Sequence, residues 1–416
     1  MINFYNRIFI KNFFNLSINQ LTNVFVAIIV TPFLFQNLGA GQYGYVRLAL
    51  AIVSIFGIFV SYGYHLNGPK RIALFGESNK IKLQSFLNEI LTLRFCLAIF
   101  ASLIIFFLIY LKVFESYSAI LFFSFTILIS DAIYPMFYFQ GKDRLSLLAY
   151  STFLAKIIYI FLIFLLIKSP NDSKFVNFLF GLSYVLIYIL FWILIYKKEK
   201  IRFLLVSYKK IYFRIKENLE FFLSSIAGHV STHGGLVILT NFVEAKELGM
   251  FALAQKIGYL LRMAPVFFIQ SLLQIFSKKN IKNKIGYEKD LKIFFYMGLF
   301  VTFLIAIVVS FFSSIIIYFL AGENILYSQN ILIILSFVPF CSMFNFKNMI
   351  EILVNEKKEV LKKSTWVTSI FMIFSVTFLC YYYKGYGLAI ALLLTEIASF
   401  IIHLYFLKKS KWEIIT

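Results

Sequence analysis

Six basic side chains fall inside strongly apolar stretches of the chain: Arg47, Arg94, Lys156, Lys256, Arg262 and Lys347. Asp131 and Glu396 do the same among the acids, while Glu89, Glu220 and Glu351 lie nearer the ends of their stretches, where a side chain can reach water. A charge at the centre of a membrane helix costs about 2.5–3.5 kcal/mol on insertion scales, so such residues are either functional or paired. Cations outnumber acids, which points to the binding of an anion. The plainer alternative is that each base pairs privately with a carboxylate for packing. Helical phase at about 100° per residue groups several of them. Arg47 shares a stripe with Tyr43, Ser54, Ser61 and His65, and Lys256 shares an arc of about 120° with Gln255, Arg262, Gln270 and Gln274.

Two histidines, His229 and His233, stand one turn apart with Ser225, Thr232 and Thr240 on their side. Imidazoles titrate near neutrality, so the pair suits a proton switch, with a polar packing seam as the alternative. Asp131 is a second candidate for proton or sodium coupling, unless it pairs with Lys156 or Arg94. Asn12, Asn15, Asn19 and Asn23 recur every three or four residues, hence on one helix face. Such amides can bond sugar hydroxyls or join helices. Cys96, Cys341 and Cys380 have no metal spacing, and their odd number fits neither a zinc site nor a disulfide framework. No P-loop, nucleotide fingerprint or Ser-His-Asp arrangement is visible, so no metal, cofactor or enzymatic activity is expected.

The elements that carry these residues are membrane spans. Of the 416 residues 61% are hydrophobic and 14% charged, with a mean hydropathy of +0.85. A soluble domain has about 45–50% apolar and about 25% charged residues. Hydropathy predicts an all-α membrane protein with twelve helices, at 13–37, 44–66, 84–111, 117–140, 146–167, 175–196, 218–242, 248–276, 293–319, 327–354, 364–383 and 387–407. The run after Arg7 and Lys11 is too long for a signal peptide, contains Pro32 and shows no cleavage site, so it reads as a retained first helix. Prolines 32, 135, 265 and 339 fall within spans and predict kinks.

Alternating the loops places 29 of the 40 Lys and Arg on one side and 5 on the other. That asymmetry predicts a multi-pass protein with both termini cytoplasmic. The most basic loop, 198–217, sits midway and divides a six-helix lobe at 1–197 from another at 218–416. Its charges suit anionic lipid. The stretch Gln42–Ala49 reads weakly against Glu247–Ala254, 205 residues later, as two parallel repeats would. The two polar stripes would then face one central cavity. The net charge of +21 has no soluble basic domain to carry it, so nucleic acid is not an expected partner.

Several motifs resemble the O-antigen flippases, the Wzx or polysaccharide transporter family, which groups with MATE-type exporters and lipid II flippases. They are Asn19-Gln20-Leu21-Thr22-Asn23, Pro32-Phe33-Leu34, Leu38-Gly39-Ala40-Gly41-Gln42-Tyr43-Gly44, Tyr62-Gly63-Tyr64 with Gly68-Pro69-Lys70-Arg71, and Asp131, Pro135 and Phe139-Gln140-Gly141. The resemblance implies two six-helix lobes about a cavity with alternating access, in the bacterial inner membrane. It implies as cargo an undecaprenyl-pyrophosphate-linked oligosaccharide, and as further partners membrane lipids, a polysaccharide polymerase and a chain-length regulator. The phase argument makes Arg47, Lys256 and Arg262 the expected pyrophosphate contacts, with Asn19, Asn23, Gln255 and Gln270 beside them for pyrophosphate or sugar. Asp131, His229 and His233 are the expected ion-coupling residues. A MATE-type ion-coupled exporter of small molecules is the alternative. It would want an acid early in the first span, and none occurs between Phe13 and Leu38. A polymerase or ligase would need a large external loop, and every predicted external segment is short.

Overall fold

A computed structural model describes the backbone of residues 2–75, 79–204, 206–282 and 284–412, and the side chains of 24–75, 79–204, 206–223, 225–230, 232–273, 275–277 and 286–410. The described chain is helical and contains no strand. Its α-helices are α1 (Ile2–Ser61), α2 (Tyr64–Phe75), α3 (Lys80–Tyr110), α4 (Ser118–Phe123), α5 (Phe125–Ile133), α6 (Met136–Gly141), α7 (Leu145–Leu166) and α8 (Ser173–Glu199). They continue with α9 (Tyr208–Leu239), α10 (Ala245–Lys282), α11 (Lys284–Phe311), α12 (Ser313–Ala321), α13 (Leu326–Ser336), α14 (Val338–Met343), α15 (Phe346–Val354) and α16 (Lys358–Trp412).

Among the described residues, nine segments are long and apolar enough to cross a membrane. Two of them, Val24–Phe75 and Lys358–Ser410, have 52 and 53 residues. At about 1.5 Å per residue a straight helix of that length would run about 80 Å, well beyond the roughly 30 Å of hydrocarbon. Neither is straight. α1 leaves helical geometry at Gly39 (φ 74°, ψ 163°), and α16 does so at Lys384 (φ 52°, ψ −127°). The latter lies in the Lys384-Gly385-Tyr386 turn expected between the last two spans. Proline breaks the stretch expected as one span at 117–140: Pro135 separates α5 from α6. Pro339 opens α14, whereas Pro32 and Pro265 remain inside α1 and α10.

Contacts divide the chain into two compact units, Asn37–Val237, and Met1–Gln36 with Ile238–Thr416. In the unit 37–237, α5 packs on α8 and α3, α8 on α7, and α2 on α6. A core cluster there joins Tyr62, Tyr64, Phe86, Phe137, Tyr138 and Trp192. In the other unit, α10 packs on α11, α13, α14 and α15, and α13 to α15 pack on α16. Leu272, Phe276, Met343, Phe346 and Ile350 form a core there. Large apolar side chains also face outward along the helices, among them Phe100, Phe161, Phe300, Ile315, Phe374 and Phe378. So much exposed apolar surface is a solvent liability in water and a fit to lipid. Cys96 is exposed and Cys341 and Cys380 are buried, all three as free thiols.

Candidate functional site

Within the unit 37–237, α1 resumes after Gly39 and carries Arg47. The Nε of Arg47 is buried without a hydrogen-bond partner, and among the described residues no carboxylate lies within ion-pair distance of its guanidinium. Its electrostatic neighbours are His233 on α9 and Tyr159 on α7. His229 and His233 stack with ring centroids 6.1 Å apart and planes at 23°. His65 at the start of α2 interacts electrostatically with His229. Arg47 and three imidazoles from α1, α2 and α9 are thereby linked, with Arg94 a further neighbour of His65, and among the described residues none of the four forms an ion pair with a carboxylate.

The continuous stripe expected along the second span is corrected here. α1 stops at Ser61, and Tyr62 (φ 45°) and Gly63 (φ 71°) turn the chain before α2 begins. A Cβ on Gly63 would lie 2.7 Å from the backbone of Phe221, so both the positive φ and the close approach of α9 require glycine. Helical phase is lost across that turn, and His65 reaches the histidine pair through tertiary packing. Ser54 and Ser61 donate back to their own helix, to the carbonyls of Leu50 (2.7 Å) and Ile58 (3.1 Å), so their hydroxyl protons are already spent.

Asp131 and Arg94 belong to the proline break. Pro135 has no N–H to give to the carbonyl of Asp131. Arg94, from α3, supplies the donors: Nη2 to the carbonyl of Asp131 and Nη1 to that of Tyr134 at 3.1 Å. Trp192 Nε1 donates to the intervening carbonyl of Ile133 at 2.6 Å. The Asp131 carboxylate interacts electrostatically with Arg94 and lies against Gly57, where a Cβ would sit 2.5 Å from Oδ2. Of the two salt bridges expected for Asp131, neither forms within ion-pair distance among the described residues: Arg94 bonds its backbone carbonyl and is an electrostatic neighbour of its carboxylate. Lys156 is 8% exposed, and among the described residues no carboxylate lies within ion-pair distance of it.

In the other unit, a cleft of about 270 Å³ is lined by Gln255, Gly258, Tyr259 and Arg262 of α10, with Leu335, Val338 and Leu392. It is half open and its exposed lining is almost wholly apolar, with the Arg262 guanidinium engaged by Glu396. Arg262 Nη2 lies 2.5 Å from Glu396 Oε1 on α16, and Gln255 is 3.4 Å from the hydroxyl of Tyr259. The spacing 255, 258, 259, 262 is one face of a helix, a signal that could have added Gly258 and Tyr259 to the expected set. Glu396 could not have been paired with Arg262 by spacing. Lys256 and Gln270, grouped with Arg262 by phase, do not line this cleft, and Gln270 is exposed. Lys347 lies 4.2 Å from the ring centroid of Phe295. The side chains of Asn12, Asn15, Asn19, Asn23 and Gln274 lie outside the described residues.

Residues 9–280 match the family described as polysaccharide biosynthesis protein. The chain belongs to that family. It is similar to a Shigella dysenteriae protein named "Putative O-antigen transporter", with 25% identity over 408 residues covering 96% of this chain and all of the relative. Among solved structures, it is similar to an inward-facing MATE family multidrug resistance transporter of the MOP superfamily, with a TM-score of 0.72 and 13% identity over 94% of each chain. It is also similar to the lipid II flippase MurJ in an inward closed conformation, with a TM-score of 0.69 and 16% identity over 94% of this chain and 87% of that one. At these identities the two structures establish a shared fold.

Proposed function

We propose that this chain is a flippase that moves undecaprenyl-pyrophosphate-linked oligosaccharide repeat units, of O-antigen or capsule type, from the inner to the outer leaflet of the bacterial cytoplasmic membrane. Family membership and the name of the Shigella relative support the cargo class, and the MATE and MurJ likeness supports a transporter fold. The observation that carries the reading is Arg47, whose buried Nε has no partner and whose neighbours include a stacked histidine pair. A buried donor left unsatisfied costs about 1–3 kcal/mol. A phosphate oxygen would satisfy it with a charge-assisted bond.

In this reading the chain crosses the membrane twelve times: the nine apolar segments, cut once more at Gly39 and at Lys384, together with α9. Both termini are cytoplasmic, as the Lys and Arg asymmetry requires. Residues 1–197 and 218–416 act as lobes joined by the basic linker 198–217, and alternating access moves the headgroup while the prenyl tail stays in lipid. Arg47, Lys256 and Arg262 neutralise the pyrophosphate. Asn19, Asn23, Gln255 and Gln270 are assigned to phosphate or sugar contacts. Asp131, His229 and His233 are assigned to ion coupling. A polymerase and a chain-length regulator would act on the product outside.

The test is deletion of this chain in its host, with mass spectrometry of undecaprenyl-linked oligosaccharide alongside surface glycan. The expected result is a build-up of complete repeat units with loss of surface polymer, restored by the wild-type chain and not by Arg47→Ala. Unchanged lipid-linked pools with intact surface glycan, in a strain without a second flippase, would refute it and favour the small-molecule exporter.

A further inference from the structure

Arg47 and Arg262 are both assigned to the cargo's diphosphate, yet their surroundings differ. Arg47 has no carboxylate beside it among the described residues. Arg262 is held by Glu396 at 2.5 Å. Both Arg262 and Glu396 are charged groups in a low-dielectric setting, with side chains 29% and 10% exposed. A buried ion pair of this kind contributes little net stability, because desolvation of two charges offsets their attraction. Stability alone is therefore a poor account of why a carboxylate from α16 is placed against the single guanidinium that lines the α10 cleft.

We propose that Glu396 is an internal counter-anion, which occupies Arg262 in the empty carrier and is displaced when the cargo's diphosphate enters the cleft. The inference rests on the flippase reading and adds to it a residue that controls access to the anion site. A guanidinium left bare at this half-open position would be taken by any small anion, free phosphate included, once the carboxylate swings away. A tethered carboxylate competes as though present at high effective concentration, of the order of millimolar or above. A ligand held by Arg262 alone cannot outcompete it at ordinary concentrations. A ligand that also gains contacts elsewhere, as a long lipid-linked diphosphate does, can. A second polar point lies about two turns away on the same face of α10: Gln255, 3% exposed, within 3.4 Å of the Tyr259 hydroxyl. Glu396 is thus a specificity-determining residue that acts on the cargo through Arg262.

The test uses the purified full chain in nanodiscs with inorganic pyrophosphate as the probe, titrated by calorimetry at fixed pH and ionic strength. Glu396→Gln keeps the shape and a hydrogen bond to Arg262 but removes the charge. It should bind pyrophosphate about ten- to a hundredfold more tightly than wild type, the range that a charge-assisted bond is worth. Arg262→Ala added to Glu396→Gln should remove the gain. Should Glu396→Gln fail to fold, Glu396→Asp keeps the charge, lengthens its reach to Arg262 and should give a smaller gain. Equal or weaker binding by a folded Glu396→Gln protein overturns the counter-anion, and so does an absence of pyrophosphate binding by every form. Neither result touches the flippase reading, which is judged by the lipid-linked pools of the deletion strain.

Discussion

Replacing Arg94 by methionine tests how the proline break in the unit 37–237 is held. The guanidinium is 4% exposed, bonds the carbonyls of Asp131 and Tyr134, and lies 5.6 Å from the ring centroid of Phe137. Methionine fills similar volume without donors or charge. Tyr134 then loses its carbonyl's donor, while Asp131 keeps a longer bond from the Tyr134 N–H at 3.3 Å. A buried polar group left without a partner costs about 1–3 kcal/mol. The Asp131 carboxylate also loses a nearby positive charge, although no ion pair within 4 Å joins the two side chains. A total destabilisation of about 2–3 kcal/mol is expected for Arg94→Met, chiefly from the lost carbonyl donors. Arg94→Lys keeps the charge but not the two-pronged geometry, and should cost less, about 1–2 kcal/mol. The assay is reversible unfolding in mixed micelles, with the double variant Arg94→Met/Asp131→Asn closing a cycle. If the two side chains are coupled, the double variant should be less destabilised than the sum of the singles by more than about 0.5 kcal/mol. Arg94→Met within about 0.5 kcal/mol of wild type would refute the assignment of Arg94 as the cap of this break.

Gly57→Ala should lower stability by about 1–3 kcal/mol, because the new methyl would lie 2.5 Å from Asp131 Oδ2; thermal melting measures it, and Asp131→Ala in the same chain should recover part of the loss. Gly63→Ala should be more severe than Gly57→Ala, since at φ 71° its Cβ also meets Phe221 backbone, which expression yield and melting report. Arg214 on α9 bonds Glu89 and Glu217, both at 2.6 Å, and Glu89, 5% exposed, keeps Ser85 and Lys210 as partners when Arg214 is removed. Arg214→Ala should therefore cost about 1–3 kcal/mol and raise hydrogen exchange at the start of α9. Asp172 accepts from the backbone N–H of Lys168 and from Ser169, which holds its carboxyl below its ordinary value of 3.8. A depressed carboxyl stabilises its cap above the ordinary value and loses it only as pH falls through the lower folded one. Protection of the Lys168 and Ser169 amides, relative to their intrinsic exchange, should therefore hold down to pH about 4 and fall below it, whereas Asp172→Asn should lower it already at neutral pH.

Composition and charge order are properties of the chain itself, and they were enough for the class of molecule. A 61% hydrophobic chain must bury or lipidate its helices, and its basic residues cluster in alternate loops. Pro135 marked a true break, because a missing N–H acts wherever the residue sits. Periodicity also carried Gln255 and Arg262 onto one face, since both lie on the uninterrupted α10. It failed where the helix was interrupted: the turn at Tyr62 and Gly63 reset the phase between Arg47 and His65.

What tertiary structure alone decided is which charge meets which. Arg94 serves carbonyls on α5 and beyond, Arg262 meets Glu396 from α16, and Arg214 ties α9 to Glu89 on α3. Arg47, of the same residue type and in an equally apolar stretch, has no such partner among the described residues. Sequence spacing fixes where a side chain stands around its own helix. Pairing depends on the rotation and depth at which a second helix packs, set by ridges and small residues on both surfaces. Hence the chain's order of residues determined a polytopic membrane protein rich in intramembrane cations, and packing determined which of those cations met a carboxylate or a carbonyl.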